Sequence, residues 1–400
     1  MTPSRRLTAA LFAGGVATFA ELYAVQAVLP GLAAEWSLTE SQATLAVSVA
    51  TGALAVSVLP WAAVGDRIGR ARAMRISALV AALSGLLVAI APTFEILLAL
   101  RAVSGAALGA LPALAVAHLV SAAPPARVAA AGGLYIAGTT IGGLSGRVLT
   151  GAVGGVFGWR WGLVTTAAFV VVAAVVFVVL LESPATARTA DQLGGRPAGG
   201  EAAKVRLALS DRVAWVFYAQ AFLLMGAFVT VYNLLSFRLL ADPYRLPASV
   251  VSLLFLTYLV GTIGSSGVGR LVAGLGRRRV LAGAGLTMAI GAAITVPAPL
   301  WSVLTGLVLL TFTFFVAHAI AATWAGERVP AARSQASAIY SLAYYAGSSV
   351  VGLVGAALYA RGGWPAAMTL VVTITAAAAV LAFFGAPRRD RPAERQSSSV

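Results

Sequence analysis

Twelve long apolar runs, separated by short charged or glycine- and proline-rich interruptions, occupy most of the 400-residue chain. They cover residues 8–30, 42–64, 75–92, 94–120, 128–156, 160–181, 211–237, 248–272, 278–296, 299–323, 334–359 and 364–385. Each run is close to the ~20 residues that carry a helix across the hydrocarbon of a bilayer. Helices satisfy their own backbone hydrogen bonds where no water is available. The pattern therefore predicts an all-α polytopic membrane protein with twelve transmembrane helices.

Composition and charge predict the orientation of these helices. Hydrophobic residues make up 60% of the chain and charged residues 10%, against about a quarter charged in average soluble proteins. Of the 28 lysines and arginines, 22 lie in or beside segments that become cytoplasmic if both termini are cytoplasmic. Because positive loop charge accumulates on that side, we expect a protein of the cytoplasmic (inner) membrane with cytoplasmic N- and C-termini. The net charge of +15 then reflects topology, and nucleic acid is not expected as a partner.

The two halves of the chain repeat each other. The matching pairs, at spacings of 205 to 207 residues, are Gly69 and Gly276, Arg70 and Arg277, Arg127 and Arg333, Gly146 and Gly352, and Trp159 and Trp364. Parallel repeats of this kind predict two bundles related by an axis along the membrane normal. We therefore predict a six-helix bundle at 1–181, a cytoplasmic linker at 182–206, a second six-helix bundle at 207–385 and a cytoplasmic tail at 386–400.

Glycines and charges are concentrated in the stretch GDRIGR at 65–70, between the second and third apolar runs. Its glycines allow the chain to turn tightly. The stretch resembles the signature loop between the second and third helices of the major facilitator superfamily of secondary transporters. That resemblance implies two halves around a central site that opens to either side in turn. It also implies a conformational latch, with the acid of the loop steadied at the start of the eleventh helix, made of Gly65, Asp66, Arg67, Gly69 and Arg70.

Three charged side chains lie deep inside the predicted helices, away from the ends of the apolar runs: Glu21, Arg101 and Arg147. A charge at the bilayer centre costs about 2.5–3.5 kcal/mol on insertion scales, so a function is the default interpretation. The helical rise puts all three in the outer half of the membrane, and we expect them to form one cluster that couples transport to protons. The fourth run resembles the arginine motif of proton-coupled exporters in this superfamily, without its usual glutamine. A structural ion pair or hydrogen bond of Glu21 is the alternative.

The fifth run contains rows of glycines at four-residue spacing, which permits close helix packing. The glycines are Gly138, Gly142, Gly143 and Gly146. The run resembles the GxxxGPxxGG motif of the exporters, with Gly143 at the position of the proline and Arg147 at that of the last glycine. The resemblance favours an exporter over an importer. Plain helix packing explains the glycines equally well.

Hydrogen-bonding and aromatic side chains inside the apolar runs are candidates for the wall of a substrate cavity. They are Thr18, Tyr135, Thr139, Asn233, Tyr258, His318, Tyr340 and Tyr344. Such side chains offer hydrogen bonds and stacking surfaces. Rows of aromatic residues at helical spacing also serve ordinary helix packing, so both interpretations stay open.

These features predict a secondary active transporter that moves a small molecule by alternating access, coupled to protons as an efflux antiporter. An uptake symporter or a uniporter for a small polar metabolite is the alternative. A membrane-embedded enzyme or a sensor is least favoured, because two distant histidines, no cysteine and no HExxH or GxxxxGK[ST] motif leave no catalytic or nucleotide site. We expect no cofactor and no metal, membrane lipids as neighbours, and a monomer. Pocket shape depends on helix rotation, so the sequence does not identify the substrate.

Overall fold

The structure is a computed structural model that describes residues 3–122, 125–181 and 200–387. Within these ranges the chain is helical and contains no strand. Nine segments there are long and apolar enough to cross a membrane, and one of them, Pro330–Gly385, holds two helices joined at a kink. These segments account for ten membrane-spanning helices. Two more helices bring the number in the described residues to twelve: the glycine-rich helix Pro125–Phe157 and the helix Arg277–Ile294, which begins with three arginines. The prediction of an all-α protein with twelve transmembrane helices is confirmed.

The first half of the chain forms six spans. Span 1 consists of the helix Pro3–Tyr23, the 3₁₀ turn Ala24–Val28 and the helix Leu29–Trp36. Spans 2 to 6 are Glu40–Ile68, Arg70–Ala89, Phe94–Leu108 with Ala110–Ala122, Pro125–Phe157 and Trp159–Leu180. Span 2 begins at a capping box, in which the Thr39 hydroxyl accepts from the Gln42 amide at 3.2 Å and the Gln42 side chain accepts from the Thr39 amide at 2.9 Å. Both backbone amides would otherwise lack a partner at the helix start.

The second half repeats this plan. After the short helix Gly200–Ser210, spans 7 to 10 are Ala214–Leu240, Ala248–Ser252 with Leu253–Thr257 and Tyr258–Leu275, Arg277–Ile294 and Leu300–Arg328. Spans 11 and 12, residues 333–361 and 364–385, form the continuous segment Arg333–Gly385, which bends at Gly362 and Gly363. The helix Gly200–Ser210 crosses the predicted boundary at 206, and 182–199 and 388–400 lie outside the described residues. The domain boundaries stay a prediction.

Four glycines with positive φ angles mark equivalent turns in the two halves. Gly69 (φ 91°) and Gly276 (φ 79°) join spans 2 and 3 and spans 8 and 9. Gly158 (φ 91°) and Gly363 (φ 64°) join spans 5 and 6 and spans 11 and 12. Positive φ is a conformation that glycine adopts without the steric cost of a Cβ. The repeat in the sequence is therefore also a repeat in the backbone.

We call the side of the bundle with the Gly69 and Gly276 turns the basic side, because arginines flank both turns; the other is the opposite side. The two halves contact each other on the opposite side of the bundle and near its middle. A Cβ on Gly155, near the end of span 5, would overlap the backbone of Ser249 in the first turn of span 8. Span 5 has few contacts with the later part of span 8, Tyr258–Leu275. The structure is thus closed between spans 5 and 8 on the opposite side.

Candidate functional site

Span 1 changes from α-helix to a 3₁₀ turn at Ala24–Val28. Such a change leaves backbone carbonyls without their usual donors, and inside a membrane protein the donors must come from the protein. Arg101 of span 4 supplies them. Its guanidinium donates to the carbonyls of Glu21, at 3.2 Å, and Leu22, and its Nε donates to the carbonyl of Ala46 at 2.9 Å. Arg101 therefore ties the break in span 1 to spans 2 and 4.

Glu21 forms an ion pair with the same guanidinium. Its Oε1 lies 3.4 Å from Arg101 Nη1, and both side chains are buried. The carboxylate lies against Gly85 of span 3, where a Cβ would overlap it. Glu21 is the one buried carboxylate among the described residues. Because a buried ion is costly without its partner, Glu21 and Arg101 stabilise each other's charge.

Arg147 lies apart from this pair. Its Nε donates to Gln26 Oε1 at 2.5 Å and its Nη1 donates to the carbonyl of Gly143 at 2.6 Å. Its guanidinium faces the rings of Tyr23, Tyr258 and Phe255 at 4.3, 4.8 and 5.4 Å from their centroids. Among the residues that the structure describes, no carboxylate forms a salt bridge with it. The structure pairs Glu21 with Arg101 and gives Arg147 other partners; the predicted role of the three residues as one proton-coupling cluster stays a prediction.

Gln26 carries the link from Arg147 across to the second half. Its Nε2 donates to Asn233 Oδ1 of span 7 at 2.5 Å. Gln26 and Asn233 are 207 residues apart, which is also the spacing of Gly69 and Gly276. Two residues at equivalent positions of a two-fold repeat can meet each other only near its axis. The amide pair therefore lies near the axis that relates the halves.

Two buried polar atoms near this pair have no hydrogen-bond partner in the described part of the chain, Asn233 Nδ2 and Ser48 Oγ. The Tyr23 hydroxyl lies within hydrogen-bonding reach of Ser348. A Cβ on Gly352 would lie 3.5 Å from Asn233 Nδ2 and 3.9 Å from Ser48 Oγ, so these two groups border the same small space. Most buried polar groups in proteins are paired. Unpaired donors gathered beside a buried cation are typical of a site that binds a ligand.

Sequence analysis did not select Gln26, Tyr23 or Ser48. Gln26 had a usable signal, since an amide in an apolar run is uncommon and its spacing to Asn233 matches the repeat. Tyr23 and Ser48 had none, because small hydroxyl residues and tyrosines are common in apolar runs and only the fold brings these two to the boundary of the halves.

The aromatic candidates divide into two groups. Tyr258 packs against Arg147, whereas His318, Tyr340 and Tyr344 lie together between spans 10 and 11. The Tyr340 hydroxyl is 2.9 Å from His318 Nδ1, and the rings of His318 and Tyr344 are 4.9 Å apart. The rings of Phe314 and Phe315 connect this second group to Tyr258, and the part of all four side chains in a substrate cavity stays a prediction. No set of three or more metal-binding side chains occurs among the residues described.

Thr18, Tyr135 and Thr139 lie within the N-terminal half. Thr18 borders a cavity of about 10 Å³ that spans 1, 3, 4 and 6 enclose. A Cβ on Gly15 of span 1 would lie 2.9 Å from the Tyr135 carbonyl oxygen and 3.0 Å from the Thr139 nitrogen. The backbone of span 5 at Tyr135 and Thr139 therefore packs closely against span 1, and no hydrogen bond joins these three side chains to Arg147 in the described part of the chain; their proposed part in a substrate cavity stays a prediction.

The glycines of span 5 have two different surroundings. A Cβ on Gly138, Gly142 or Gly146 would overlap the backbone of span 1. Gly143 faces another way, and a Cβ there would lie 3.1 Å from Arg147 Nη1 and 3.9 Å from the Phe19 Cβ. The row of three allows the two helices to touch, and Gly143 leaves space beside the guanidinium.

The predicted latch lies at the turn between spans 2 and 3. Gly65 is buried, and a Cβ on it would overlap Leu114 of span 4. Arg70 Nη1 donates to the Ala117 carbonyl at 3.4 Å, and Arg67 is exposed. Asp66 is half-buried. The role of these residues and of Gly69 as a latch stays a prediction.

Comparison with known proteins shows the family of the chain. The sequence profile of the Major Facilitator Superfamily matches residues 11–273 and 237–399. The chain belongs to this superfamily. It is 34% identical over 360 residues to the uncharacterized MFS-type transporter YybF of Bacillus subtilis (strain 168), covering 90% of this chain and 88% of that protein. It is also 34% identical over 359 residues to the inner membrane transport protein YnfM of Escherichia coli (strain K12), covering 90% of this chain and 85% of that protein.

Solved structures share the fold at low sequence identity. A bacterial homologue of the human lysosomal transporter Spinster, in an inward-facing and unoccupied conformation, superposes with a TM-score of 0.77 at 16% identity, over 96% of each chain. A D-xylose-proton symporter superposes with a TM-score of 0.75 at 16% identity, over 96% of this chain and 97% of that one. These relatives are transporters rather than enzymes. The protein is a multi-pass secondary transporter of the Major Facilitator Superfamily.

Proposed function

We propose that this transporter exports a small molecule from the cytoplasm in exchange for protons, with Glu21 as the proton-binding group. The observation that carries the proposal is the buried ion pair of Glu21 with Arg101 at the break in span 1. A carboxyl that alternates between charged and neutral forms is the usual proton carrier inside membrane transporters.

The position of the ion pair links the proton to the contact between the halves. Arg101 holds both the carboxylate of Glu21 and the carbonyls just before the 3₁₀ turn. Gln26 lies in that turn and reaches Arg147 and Asn233. Glu21 takes up a proton while the site is open to the opposite side and releases it once the site is open to the basic side. The carboxylate then holds Arg101, and Arg101 holds the turn whose amide bridge keeps the opposite side closed.

Orientation follows from the charge asymmetry. We assign the basic side to the cytoplasm, with both chain termini there, in the cytoplasmic (inner) membrane. The contact between spans 5 and 8 on the opposite side then makes this an inward-facing conformation. The name of the Escherichia coli relative, an inner membrane transport protein, supports the location.

Export by antiport rests on the likeness of span 5 to the exporter motif. An uptake symporter is the second candidate, supported by the fold shared with a D-xylose-proton symporter. The sign of the response to a pH gradient distinguishes the two, because an antiporter concentrates its substrate in the acidic compartment and a symporter in the alkaline one. A uniporter does not accumulate its substrate in response to a pH gradient.

The test uses proteoliposomes with an imposed pH gradient of either sign and a panel of candidate compounds. We expect accumulation on the acidic side by the wild type, and equilibration without accumulation by Glu21→Gln. The control is Glu35→Gln, which removes a carboxylate that pairs with Arg160 at 2.6 Å on the opposite side, and it should accumulate like the wild type. Full gradient-driven accumulation by Glu21→Gln would disprove the role of Glu21.

A further inference from the structure

Arg147 is a buried cation at the boundary of the two halves, and the described part of the chain supplies no carboxylate to pair with it. An arginine in a protein cannot become neutral by losing its proton. We infer that the site around Arg147 binds an anion, and that the molecule transported is an organic anion with an apolar ring. The inference rests on the proposed function only in taking the boundary of the halves as the transport site.

The hydrogen bonds around Arg147 leave an excess of donors. Because Arg147 Nε can only donate, the oxygen of Gln26 must face it, and the Gln26 amide nitrogen must then face Asn233. Asn233 accepts through its oxygen and is left with an unpaired, buried Nδ2. The chain of three side chains therefore ends in a donor. Ser48 adds a buried hydroxyl that can also donate. The complementary ligand is rich in acceptor oxygens and negatively charged.

Aromatic rings surround the cation and limit the shape of the ligand. Tyr23 belongs to the N-terminal half, and Phe255 and Tyr258 belong to span 8 of the C-terminal half. Rings on both halves provide an apolar wall for the body of a ligand whose charged end meets Arg147. They also hold the guanidinium through cation–π contacts while no anion is bound.

Gly143 leaves room for the guanidinium itself. It lies one turn before Arg147 in span 5, and a Cβ there would lie 3.1 Å from Arg147 Nη1 and 3.9 Å from the Phe19 Cβ. A side chain at this position would crowd the guanidinium, which donates to the Gly143 carbonyl at 2.6 Å. The two departures from the exporter motif therefore fit each other, because the arginine folds back over the glycine.

The experiment measures equilibrium binding of benzoate, benzamide and benzylamine to the purified full-length protein in detergent at neutral pH. The three probes share a ring and differ in charge. We expect benzoate to bind, benzamide to bind more weakly and benzylamine not to bind. Arg147→Gln should lose about thirtyfold or more in benzoate affinity, as follows removal of one partner of a buried charge pair, and Arg147→Lys should keep part of it.

The matched control is Arg160→Gln. Arg160 also stacks on an aromatic ring, 4.2 Å from the centroid of Trp159, but it pairs with Glu35 at the opposite side, so benzoate affinity should not change. Size-exclusion elution at the wild-type volume shows that each variant is folded. Any of three results would overturn the inference. Benzoate does not bind, benzamide or benzylamine binds more tightly than benzoate, or Arg147→Gln binds benzoate with wild-type affinity.

Failure of this inference is separable from failure of the proposed function. In one outcome, Arg147→Gln abolishes benzoate flux, but neither the pH gradient nor Glu21→Gln changes that flux. This result would support the anion site and contradict proton coupling. In the other outcome, the protein transports a cation in response to the pH gradient, and Arg147→Gln does not change this transport. This result would support proton coupling and contradict the anion site.

Discussion

At the scale of single residues, Arg101 has two tasks that a mutant cycle can separate. It neutralises Glu21, and it supplies donors to the carbonyls of Leu22 and Ala46. Arg101→Gln should lower the stability by about 3–5 kcal/mol, the usual cost of leaving one charge of a buried pair alone. Adding Glu21→Gln should recover part of that loss, because the unpaired carboxylate is gone, but not the part due to the carbonyls.

Thermal unfolding of the purified variants, followed by the loss of monomer on size exclusion, measures this cycle. Purely additive effects of the two substitutions would show that the 3.4 Å ion pair contributes nothing to stability. Gly85→Ala offers an independent check, because its Cβ would overlap the Glu21 carboxylate and should weaken the same pair without changing a charge.

The charged residues of the site could be found from the sequence, but their partners could not. A charge in an apolar run is rare enough to select Glu21, Arg101 and Arg147 at once. The rise per residue then gives the height of each in the membrane. Height does not give rotation about the helix axis. Glu21 and Arg147 lie at similar heights, yet one faces spans 3 and 4 and the other faces span 8.

At the scale of elements, the contact of span 1 with span 5 depends on three glycines. Gly142→Ala should destabilise the protein by about 1–3 kcal/mol, because an added methyl group in a packed contact forces the helices apart. Gly133→Ala is the matched control in the same helix, since nothing lies within 4 Å of a Cβ there. It should be neutral or stabilising by up to about 1 kcal/mol through helix propensity. Melting temperatures of the two variants in one detergent measure the difference, and equal shifts would argue against the packing role.

Apolar periodicity predicted the helices well and their internal irregularities poorly. The run at 42–64 became Glu40–Ile68, and the run at 364–385 ends where span 12 ends. The 3₁₀ turn Ala24–Val28 was not predicted, since its sequence AVQAV has no proline or glycine to mark a break. The break comes just before Pro30, which has no N–H for the Gln26 carbonyl. Arg101 from another span supplies donors to the carbonyls of Glu21 and Leu22 at the same break, a tertiary contact that local sequence does not report.

At the scale of the whole molecule, the repeat was visible in the sequence and the conformation was not. Equivalent glycines at a fixed spacing predicted two related halves, and the positive φ angles of Gly69 and Gly276 follow that spacing. A transporter exchanges between states that are closed on different sides, and one sequence encodes all of these states. The sequence therefore does not predict which side is closed in a given structure. The amide pair of Gln26 and Asn233 belongs to this closed state.

A disulfide between the halves tests whether they separate during transport. The chain has no cysteine, so Gly52→Cys with Ser349→Cys introduces a single pair, in spans 2 and 11. A Cβ on Gly52 would lie 3.6 Å from the Ser349 Cβ, within the range of about 3.5–4.5 Å that disulfides need.

Oxidation should join the two halves, so that they migrate together on a denaturing gel after cleavage at a protease site inserted between them. It should also stop gradient-driven transport until a reductant is added, because alternating access requires the halves to move apart. The controls are the single variants Gly52→Cys and Ser349→Cys, which have no second cysteine in the chain to pair with and whose transport should not change on oxidation. Undiminished transport by the fully oxidised Gly52 and Ser349 pair would mean that spans 2 and 11 stay together throughout the cycle.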